Sequence, residues 1–414
     1  MIVGRLNAMF SRSVYIKLIS FALTIQLVSL FRKYPLDHPC GRVLELAGNM
    51  KVLINCDSAV YMKDAQSPSR IFNGESVYQD RPLPTFVISM FSKLWHLLNL
   101  PDYYRNITGN SGNIVTYSLV TYFLFLILNA FLLSVCCWLG IKTFLIIFNK
   151  FDVQKEYFPF IASLFILLIS MNEITKTFFW TPGSQMFNIL IPVYLFYLAQ
   201  FINNNVTTKF FVLNAIIFIT LMFSYAFSIL TAIPLILMKW KSLRSRVIVV
   251  ASIILIYSIY PSMLRFFGGE YNNFALGQRR MYIWVVDAFN SDQIIQSFSK
   301  NLFLFIYSFP IFPTVLIISL IVYLKFTLKN FLMREILYFI RPEICILFFY
   351  FLCFGLYGYY SRRLTYPIMI FLFLITLKIF LIRSKIVRSS ELLTITLIVT
   401  LVFYSWVFTN GPLV

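Results

Sequence analysis

The sequence predicts an all-α integral membrane protein, with about ten to twelve transmembrane helices and a folded first external loop. Hydrophobic residues make up 59% of the chain and charged residues 12%, against about 45–50% and about 25% in soluble domains. Apolar runs of spanning length recur along the chain, and Lys and Arg concentrate between them, as in membrane proteins whose basic loops set the topology. The polar surface is too small to cover a water-soluble globule, so we expect lipid to be the solvent.

The apolar runs define the expected helices in order. Residues 14–31 come first, and basic residues rather than a small-residue cleavage site follow them, so we predict a retained span with a cytoplasmic N-terminus. Residues 84–100 form either a further span or a helix along the membrane interface. Residues 210–237 form one tilted helix or two short ones that meet near Ser224 and Tyr225. The remaining predicted spans are residues 116–139, 157–171, 186–201, 247–264, 302–324, 344–360, 364–382 and 392–408.

Loop charges assign the two sides of the membrane. The segments 239–246, 325–334 and 383–388 are basic and are predicted to be cytoplasmic. Counting one helix at a time then places the first loop (32–82), a second loop (265–300), the turn at 361–363 and the C-terminus outside. We therefore predict a single polytopic domain, residues 1–414, whose two long external loops build a site over the membrane.

The first external loop holds an unusual share of the acidic residues. Asp57, Asp64, Glu75 and Asp80 are four of the sixteen in the chain. Asp57, Tyr61 and Asp64 are spaced i, i+4 and i+7, so a helix places them on one face. The spacing predicts that Asp57 points into a shared cavity with Tyr61 beside it. The alternative is a solvated carboxylate or a helix cap.

A longer pattern begins at Asp57 and continues through the loop. It consists of Asp57, Tyr61 and Ala65, then Gly74 and Tyr78, then Arg81-Pro82-Leu83-Pro84 at the entry into the next helix. This pattern resembles the first external loop of the polytopic GT-C-fold glycosyltransferases, which use sugars linked to a lipid phosphate. Chain size and the low-charge, Phe/Ile/Asn-rich composition are also similar to the O-antigen-modifying glucosyltransferases of enteric bacteria and their phages.

The resemblance implies that Asp57 is the catalytic base or orients the acceptor. The family usually has a second acidic residue directly after this position, where the chain has Ser58. Asp64 and Asp80 therefore both stay open as the source of a second catalytic carboxylate.

Aromatic and basic residues complete the expected site. Tyr61, Tyr78 and Trp180 are expected to line the substrate, although the Trp180-Thr181-Pro182-Gly183 segment also reads as a plain turn between two helices. A guanidinium binds phosphate oxygens in a bidentate way, so arginines at the external surface are expected to hold the donor phosphate; the alternative is that they anchor helices at lipid headgroups. The predicted phosphate-binding residues are Arg81, Arg279, Arg280, Arg362 and Arg363.

Together these patterns predict a metal-independent membrane hexosyltransferase without a cofactor. It moves a single sugar, glucose by the narrower resemblance, from a polyprenyl phosphate donor to lipopolysaccharide O-antigen or another surface glycan, or to a lipid-linked acceptor. The expected place is the periplasmic face of a bacterial inner membrane. The alternatives are an O-antigen or exopolysaccharide polymerase and a flippase or transporter of lipid-linked sugars.

Other chemistries find little support in the composition. The two His residues are too few and too isolated for a metal cluster. Cys40 and Cys56 both fall in the first loop and form a disulfide only if that loop faces an oxidising compartment. The net charge of +19 is spread between apolar runs rather than gathered in one patch, so we expect membrane lipids, and no nucleic acid, among the partners.

Overall fold

The structure is a computed structural model of the 414-residue chain. It describes residues 12–28, 42–47, 50–54, 56–79, 81–108, 114–151, 158–203, 207–238, 243–266, 269–270, 283–290, 294–308, 330–357 and 362–384.

Helices dominate the described residues, which confirms the predicted helical class. Two short hairpins, β1–β2 and β3–β4, and one 3-10 segment (Ala226–Thr231) accompany them. The strands are β1 (Arg42–Ala47), β2 (Met50–Ile54), β3 (Tyr104–Thr108) and β4 (Ile114–Ser118). The helices are α1 (Arg12–Val28), α2 (Cys56–Gln66), α3 (Ser69–Phe72), α4 (Pro82–Leu97), α5 (Leu119–Phe151), α6 (Phe158–Ser170), α7 (Glu173–Trp180), α8 (Phe187–Ala199), α9 (Thr208–Met222), α10 (Ala232–Leu237), α11 (Leu243–Phe266), α12 (Ile283–Phe289), α13 (Ile294–Ser308), α14 (Asn330–Tyr357) and α15 (Arg362–Ser384).

Each predicted apolar run that the structure describes contains a helix, although the bounds of the run and the helix differ at several ends. The open choice for residues 210–237 is resolved in favour of two pieces, because α9 ends at Met222 and a 3-10 segment begins at Ala226. The run at 302–324 is described only to residue 308, as the end of α13, and the run at 392–408 lies outside the described residues.

Helix length and composition give a narrower answer about membrane spans. Among the described residues, α5 is the one helix long and apolar enough to cross a membrane, and the bent pair of α6 and α7, at 65°, adds a second if the two form one span. Several other apolar helices are shorter, among them α8 and α9. The predicted total of about ten to twelve spans therefore stays a prediction.

The long helix α5 organises the core. It packs against α1, α4, α6 and α8, and its buried side chains include Tyr122, Phe125 and Asn129. Phe123, Ile127 and Phe131 recur every four residues on its opposite, exposed side, as expected for one face of a helix. One side of α5 thus carries the protein core, and the other presents a continuous apolar stripe.

The amphipathic helix α4 follows the first loop. Its first half is buried, including Pro84, Thr85 and Ile88, and it packs on α2 and α5. Its second half exposes Phe91 and Leu94 next to the basic Lys93. Burial thus changes along the length of α4, and the choice between a span and a helix along the membrane interface stays open.

The sequence analysis predicted neither of the two hairpins, one of which lies within the first loop and the other after α4. In β1–β2, Arg42 pairs with Ile54 and Leu44 with Val52. In β3–β4, Tyr104 pairs with Ser118 at the start of α5. The predicted span at 116–139 consequently begins in a strand, and its helix starts three residues later, at Leu119.

The two predicted external loops meet in the structure. The Glu270 N–H donates to the Phe72 carbonyl at 3.1 Å, and the Gln79 side chain donates to the Glu270 carbonyl at 2.7 Å. Gly74 has φ +70°, and an added Cβ there would lie 3.1 Å from the Glu270 Cβ. A residue without a side chain is therefore required where the loops touch.

Candidate functional site

Helix α2 places two of the predicted residues side by side. Asp57 and Tyr61 are one turn apart on this helix, as their spacing predicted. Tyr61 is fully buried, whereas Asp57 is half-buried. The carboxylate thus stays accessible next to a fixed aromatic ring.

Tyr78 returns from the end of the loop and connects the two. Its ring stacks on Tyr61 with centroids 4.5 Å apart and planes within 6°. Its hydroxyl donates to Asp57 Oδ1 at 2.5 Å. Stacking and a charge-assisted hydrogen bond together hold the Asp57 carboxylate in one orientation.

Arg81 adds a cation to the same cluster. Its guanidinium carbon lies 5.6 Å from the Tyr78 ring centroid and 4.8 Å from that of Tyr225. The backbone N–H of Arg81 donates to the Tyr78 carbonyl at 2.9 Å. Pro82 starts α4 directly after it, and proline suits the first helical position. The turn into α4 therefore brings a largely buried cation to the aromatic pair.

Electrostatics keep both phenols neutral. Burial raises the pKa of Tyr78, and the nearby Asp57 charge raises it further. Burial also raises the pKa of Tyr61, although Arg81 and the hydrogen bond with Ser184 act in the opposite direction. Because both hydroxyls keep their protons, Tyr78 is a hydrogen-bond donor to Asp57 and not a competing base.

Asp64 is engaged in holding the loop. Arg70 Nε donates to its Oδ1 at 3.1 Å, and the Ser76 hydroxyl donates to its Oδ2 at 2.5 Å. Arg70 also forms an ion pair with Glu75. Burial raises the pKa of Asp64 despite these partners. Both carboxylate oxygens are occupied, an arrangement that favours a structural role over proton transfer.

Trp180 is buried in the core, and its role in lining the substrate stays a prediction. Its indole N–H donates to the Gln26 carbonyl of α1 at 3.2 Å, while Tyr122 donates to the Trp180 carbonyl at 3.0 Å. The Asn129 side chain donates to the carbonyls of Phe178, Phe179 and Thr181. These contacts anchor the end of α7 and leave the turn that follows it beside Tyr61.

The sequence analysis missed two contacts of the cluster, one from this turn and one from the break after α9. The hydroxyls of Ser184 and Tyr61 share a hydrogen bond of 2.6 Å, and Tyr225, from the break after α9, stacks against Arg81. The only sequence signals were the Pro182-Gly183 interruption and the ambiguous run at 210–237. Neither signal indicates which residues of the first loop the segments meet.

The other predicted site residues cannot be placed in the cluster of Asp57, Tyr61, Tyr78 and Arg81. Asp80, Arg279 and Arg280 lie outside the described residues, as does Cys40. Arg362 and Arg363 begin α15, but their side chains, like that of Cys56, are outside the described part of the chain. Among the described residues no group of three or more His, Cys, Asp or Glu is arranged to hold a metal ion.

Comparisons with protein-family models, curated proteins and solved structures find no match to this chain. The glycosyltransferase resemblance therefore depends on the first-loop residues, with chain size and composition beside them.

Proposed function

We propose that this protein is a polytopic membrane glycosyltransferase that takes a single sugar from a polyprenyl phosphate donor. The observation that carries the proposal is the cluster of Asp57, Tyr61, Tyr78 and Arg81. It combines an accessible carboxylate, oriented by a tyrosine hydroxyl at 2.5 Å, with a guanidinium over the same tyrosine ring. Such a transfer needs a proton acceptor and a cation for the departing phosphate.

In the proposed reaction, Asp57 takes the proton of an acceptor hydroxyl while that oxygen attacks C1 of the sugar. The bond between C1 and the phosphate oxygen breaks, and its electron pair leaves with the polyprenyl phosphate. Arg81 stabilises the negative charge that the leaving phosphate gains. The Tyr78 hydroxyl fixes the carboxylate during the transfer, and inversion at C1 is expected from the family resemblance.

A membrane setting agrees with the surfaces around this cluster. The donor carries a lipid chain, so its phosphate lies at the membrane interface and its sugar above it. Helix α4 starts at the Arg81 cluster, and its exposed apolar half suits contact with lipid. The exposed stripe of α5 would cost about 25 cal/mol per Å² in water and is accommodated in a bilayer.

The experiment that tests this function compares wild type with Asp57→Asn in a strain that has a defined surface polysaccharide. Asn keeps the size of Asp and cannot take a proton at pH 7. Glu75→Gln is the matched control, since Glu75 is an exposed carboxylate of the same loop that pairs with Arg70.

We expect wild type and Glu75→Gln to add one hexose per repeat unit, measured by glycan mass at matched membrane levels. Asp57→Asn should lose at least about 100-fold of the transfer, the usual contribution of a general base. Equal mass addition by Asp57→Asn would contradict the role of Asp57. A change in chain length without a change in repeat mass would support the polymerase instead.

One observation favours a second candidate, a transporter of lipid-linked sugars. Lys378 and Glu343 form a buried ion pair between α14 and α15, and buried charges within membrane helices often mark transport pathways. If wild type adds no sugar to any glycan but alters the sidedness of lipid-linked sugars, the transporter replaces the transferase.

A further inference from the structure

The turn between α7 and α8 is fitted closely to Tyr61. Ser184 of this turn shares its hydroxyl hydrogen bond with Tyr61. Gly183 has φ +153°, and an added Cβ there would lie 2.2 Å from the Gln185 Oε1 and 3.2 Å from the Tyr61 Cδ2. The Gln185 amide and the Tyr61 ring therefore approach the same glycine, which only a residue without a side chain allows.

Two side-chain amides, one in this turn and one in the first turn of α8, have buried oxygens that receive no hydrogen bond from the described residues. They are the Gln185 Oε1 and the Asn188 Oδ1, and Asn188 is only 2% exposed. The backbone N–H of Asn188 donates to the backbone carbonyl of Gln185 at 2.9 Å. This hydrogen bond closes the turn and sets the two side chains about one helical turn apart. Buried acceptors without donors are rare in folded proteins and call for a ligand or water.

A third such oxygen lies on the neighbouring helix. Thr121 Oγ1, in the first turn of α5, is also buried without a hydrogen-bond partner among the described residues. The adjacent Tyr122 donates to the Trp180 carbonyl, so this turn of α5 borders the segment that leads to Gln185. Buried neutral oxygen acceptors fit a neutral ligand that is rich in hydroxyl groups.

We propose that Gln185 and Asn188 are the sugar-recognition residues of the site. Their amide oxygens accept hydrogen bonds from hydroxyl groups of a pyranose ring that binds next to the turn. This inference rests on the proposed function and names the residues that select the sugar. A site built to bind a hydroxyl group rejects the analogue that lacks it, because its own acceptor is then left unpaired.

The test uses Asn188→Leu and Gln185→Met, which keep side-chain size and remove the amide. The full-length protein in membrane vesicles is assayed with a polyprenyl phosphate hexose and with its single-deoxy analogues. We expect wild type to prefer the hexose over at least one deoxy analogue by about tenfold or more in kcat/KM, and each variant to bring this ratio close to one.

Two further readouts separate recognition from structure. Replacing a buried amide oxygen that has no hydrogen-bond partner by an apolar group removes no hydrogen bond. The melting temperature of both variants is therefore expected to stay equal or to rise. The matched control is Asn214→Leu, because the Asn214 Oδ1 accepts from Tyr194 and its amide donates to the Phe210 carbonyl. That variant should lose thermal stability and keep the sugar preference.

The outcomes are distinguishable from those of the proposed function. A lower melting temperature in both variants with an unchanged sugar preference would show a structural role and overturn the inference alone. No transfer by wild type with any donor would overturn the inference together with the transferase. A changed KM for the donor places the recognised sugar on the donor, and a changed KM for the glycan alone places it on the acceptor.

Discussion

Tyr78 contacts both the aromatic ring and the carboxylate of the candidate site. Its ring stacks on Tyr61 and its hydroxyl donates to Asp57. A hydrogen bond to a charged group contributes about 1.5–3 kcal/mol. The orientation of the carboxylate therefore depends on one hydroxyl whose removal leaves the aromatic packing in place.

We accordingly expect Tyr78→Phe to lower transfer about tenfold or more, since 1.4 kcal/mol corresponds to a factor of ten, and to leave protein levels unchanged. The assay is the glycan-mass measurement, made over time to give initial rates. Tyr103→Phe is the control, because Tyr103 is an exposed tyrosine of the segment after α4. Full activity in Tyr78→Phe would show that Asp57 needs no orienting partner.

Asp64 makes the stability of the first loop depend on pH. Its folded-state pKa is raised above 3.8, mainly by burial. The folded state therefore holds this proton more tightly than the unfolded state. The stabilisation is present in full below about pH 3.8 and is lost as pH rises through the raised pKa.

The melting temperature of wild type minus that of Asp64→Asn should thus decrease as pH rises from about 4 to about 7. Scanning fluorimetry of the solubilised protein at a series of pH values gives this difference. A difference that grows with pH would mean that the Arg70 and Ser76 contacts outweigh burial.

Spacing along the sequence was sufficient for the local part of the site. Asp57 and Tyr61 lie on one helix face, as predicted, because i and i+4 positions follow from helix geometry. Ser184 and Tyr225 were not identified as contacts, because Ser184 meets Tyr61 across 123 residues of sequence. Contacts of that separation depend on how the helices pack, which periodicity does not specify.

At the level of elements, apolar runs located most of the long helices. They located neither the strands nor the helices α2, α3, α7 and α12. A search for about 20 apolar residues finds spans and passes over β1 and β2, which have six and five residues. Their register, with Val43 opposite Leu53, depends on pairing between two segments. The break after α9 was visible as an alternative because Ser224 and Tyr225 interrupt an otherwise apolar run.

Close packing between α5 and α6 depends on one glycine. An added Cβ at Gly140 would lie 2.0 Å from ring atoms of Phe165, a residue that is fully buried. A fixed ring in a packed core has little room to move. By contrast, Gly355 of α14 has nothing within 4 Å of an added Cβ.

Gly140→Ala and Gly355→Ala therefore form a matched pair of helical substitutions. We expect Gly140→Ala to destabilise the protein by about 1–3 kcal/mol through overpacking. Gly355→Ala is expected to be neutral or to stabilise by up to about 1 kcal/mol through helix propensity. Denaturant midpoints measure both, and equal effects would contradict the close approach of the two helices.

For the whole molecule, a lipid environment stays a proposal that composition supports more clearly than helix length does. In the part of the chain that the structure describes, a single helix passes the length and apolarity criteria for a span, and the bent α6–α7 pair is a second if the two form one span. Yet exposed apolar side chains occur on helices outside α5 as well, including Leu213 and Ile216 of α9 and Leu302 and Ile306 of α13. Apolar faces on several helices support membrane insertion more strongly than any one helix does.

The buried ion pair between Glu343 and Lys378 joins distant parts of this bundle. The Lys378 Nζ contacts the Glu343 Oε1, and the Gln200 side chain, just after α8, donates to the same oxygen at 2.9 Å. Both charged residues are almost completely buried. Helices α14 and α15 and the end of α8 are thus linked through one carboxylate, far along the sequence from Asp57.

Lys378→Met should destabilise the protein by about 3–5 kcal/mol, because it leaves the Glu343 charge buried without its partner, whereas Glu343→Leu combined with Lys378→Met should recover most of that loss. Denaturant midpoints in detergent measure both effects. If the protein is a transferase, the stable double variant keeps its sugar transfer, since the Asp57 cluster is intact. A stable double variant without activity would instead assign these charges to the function itself and favour the transporter.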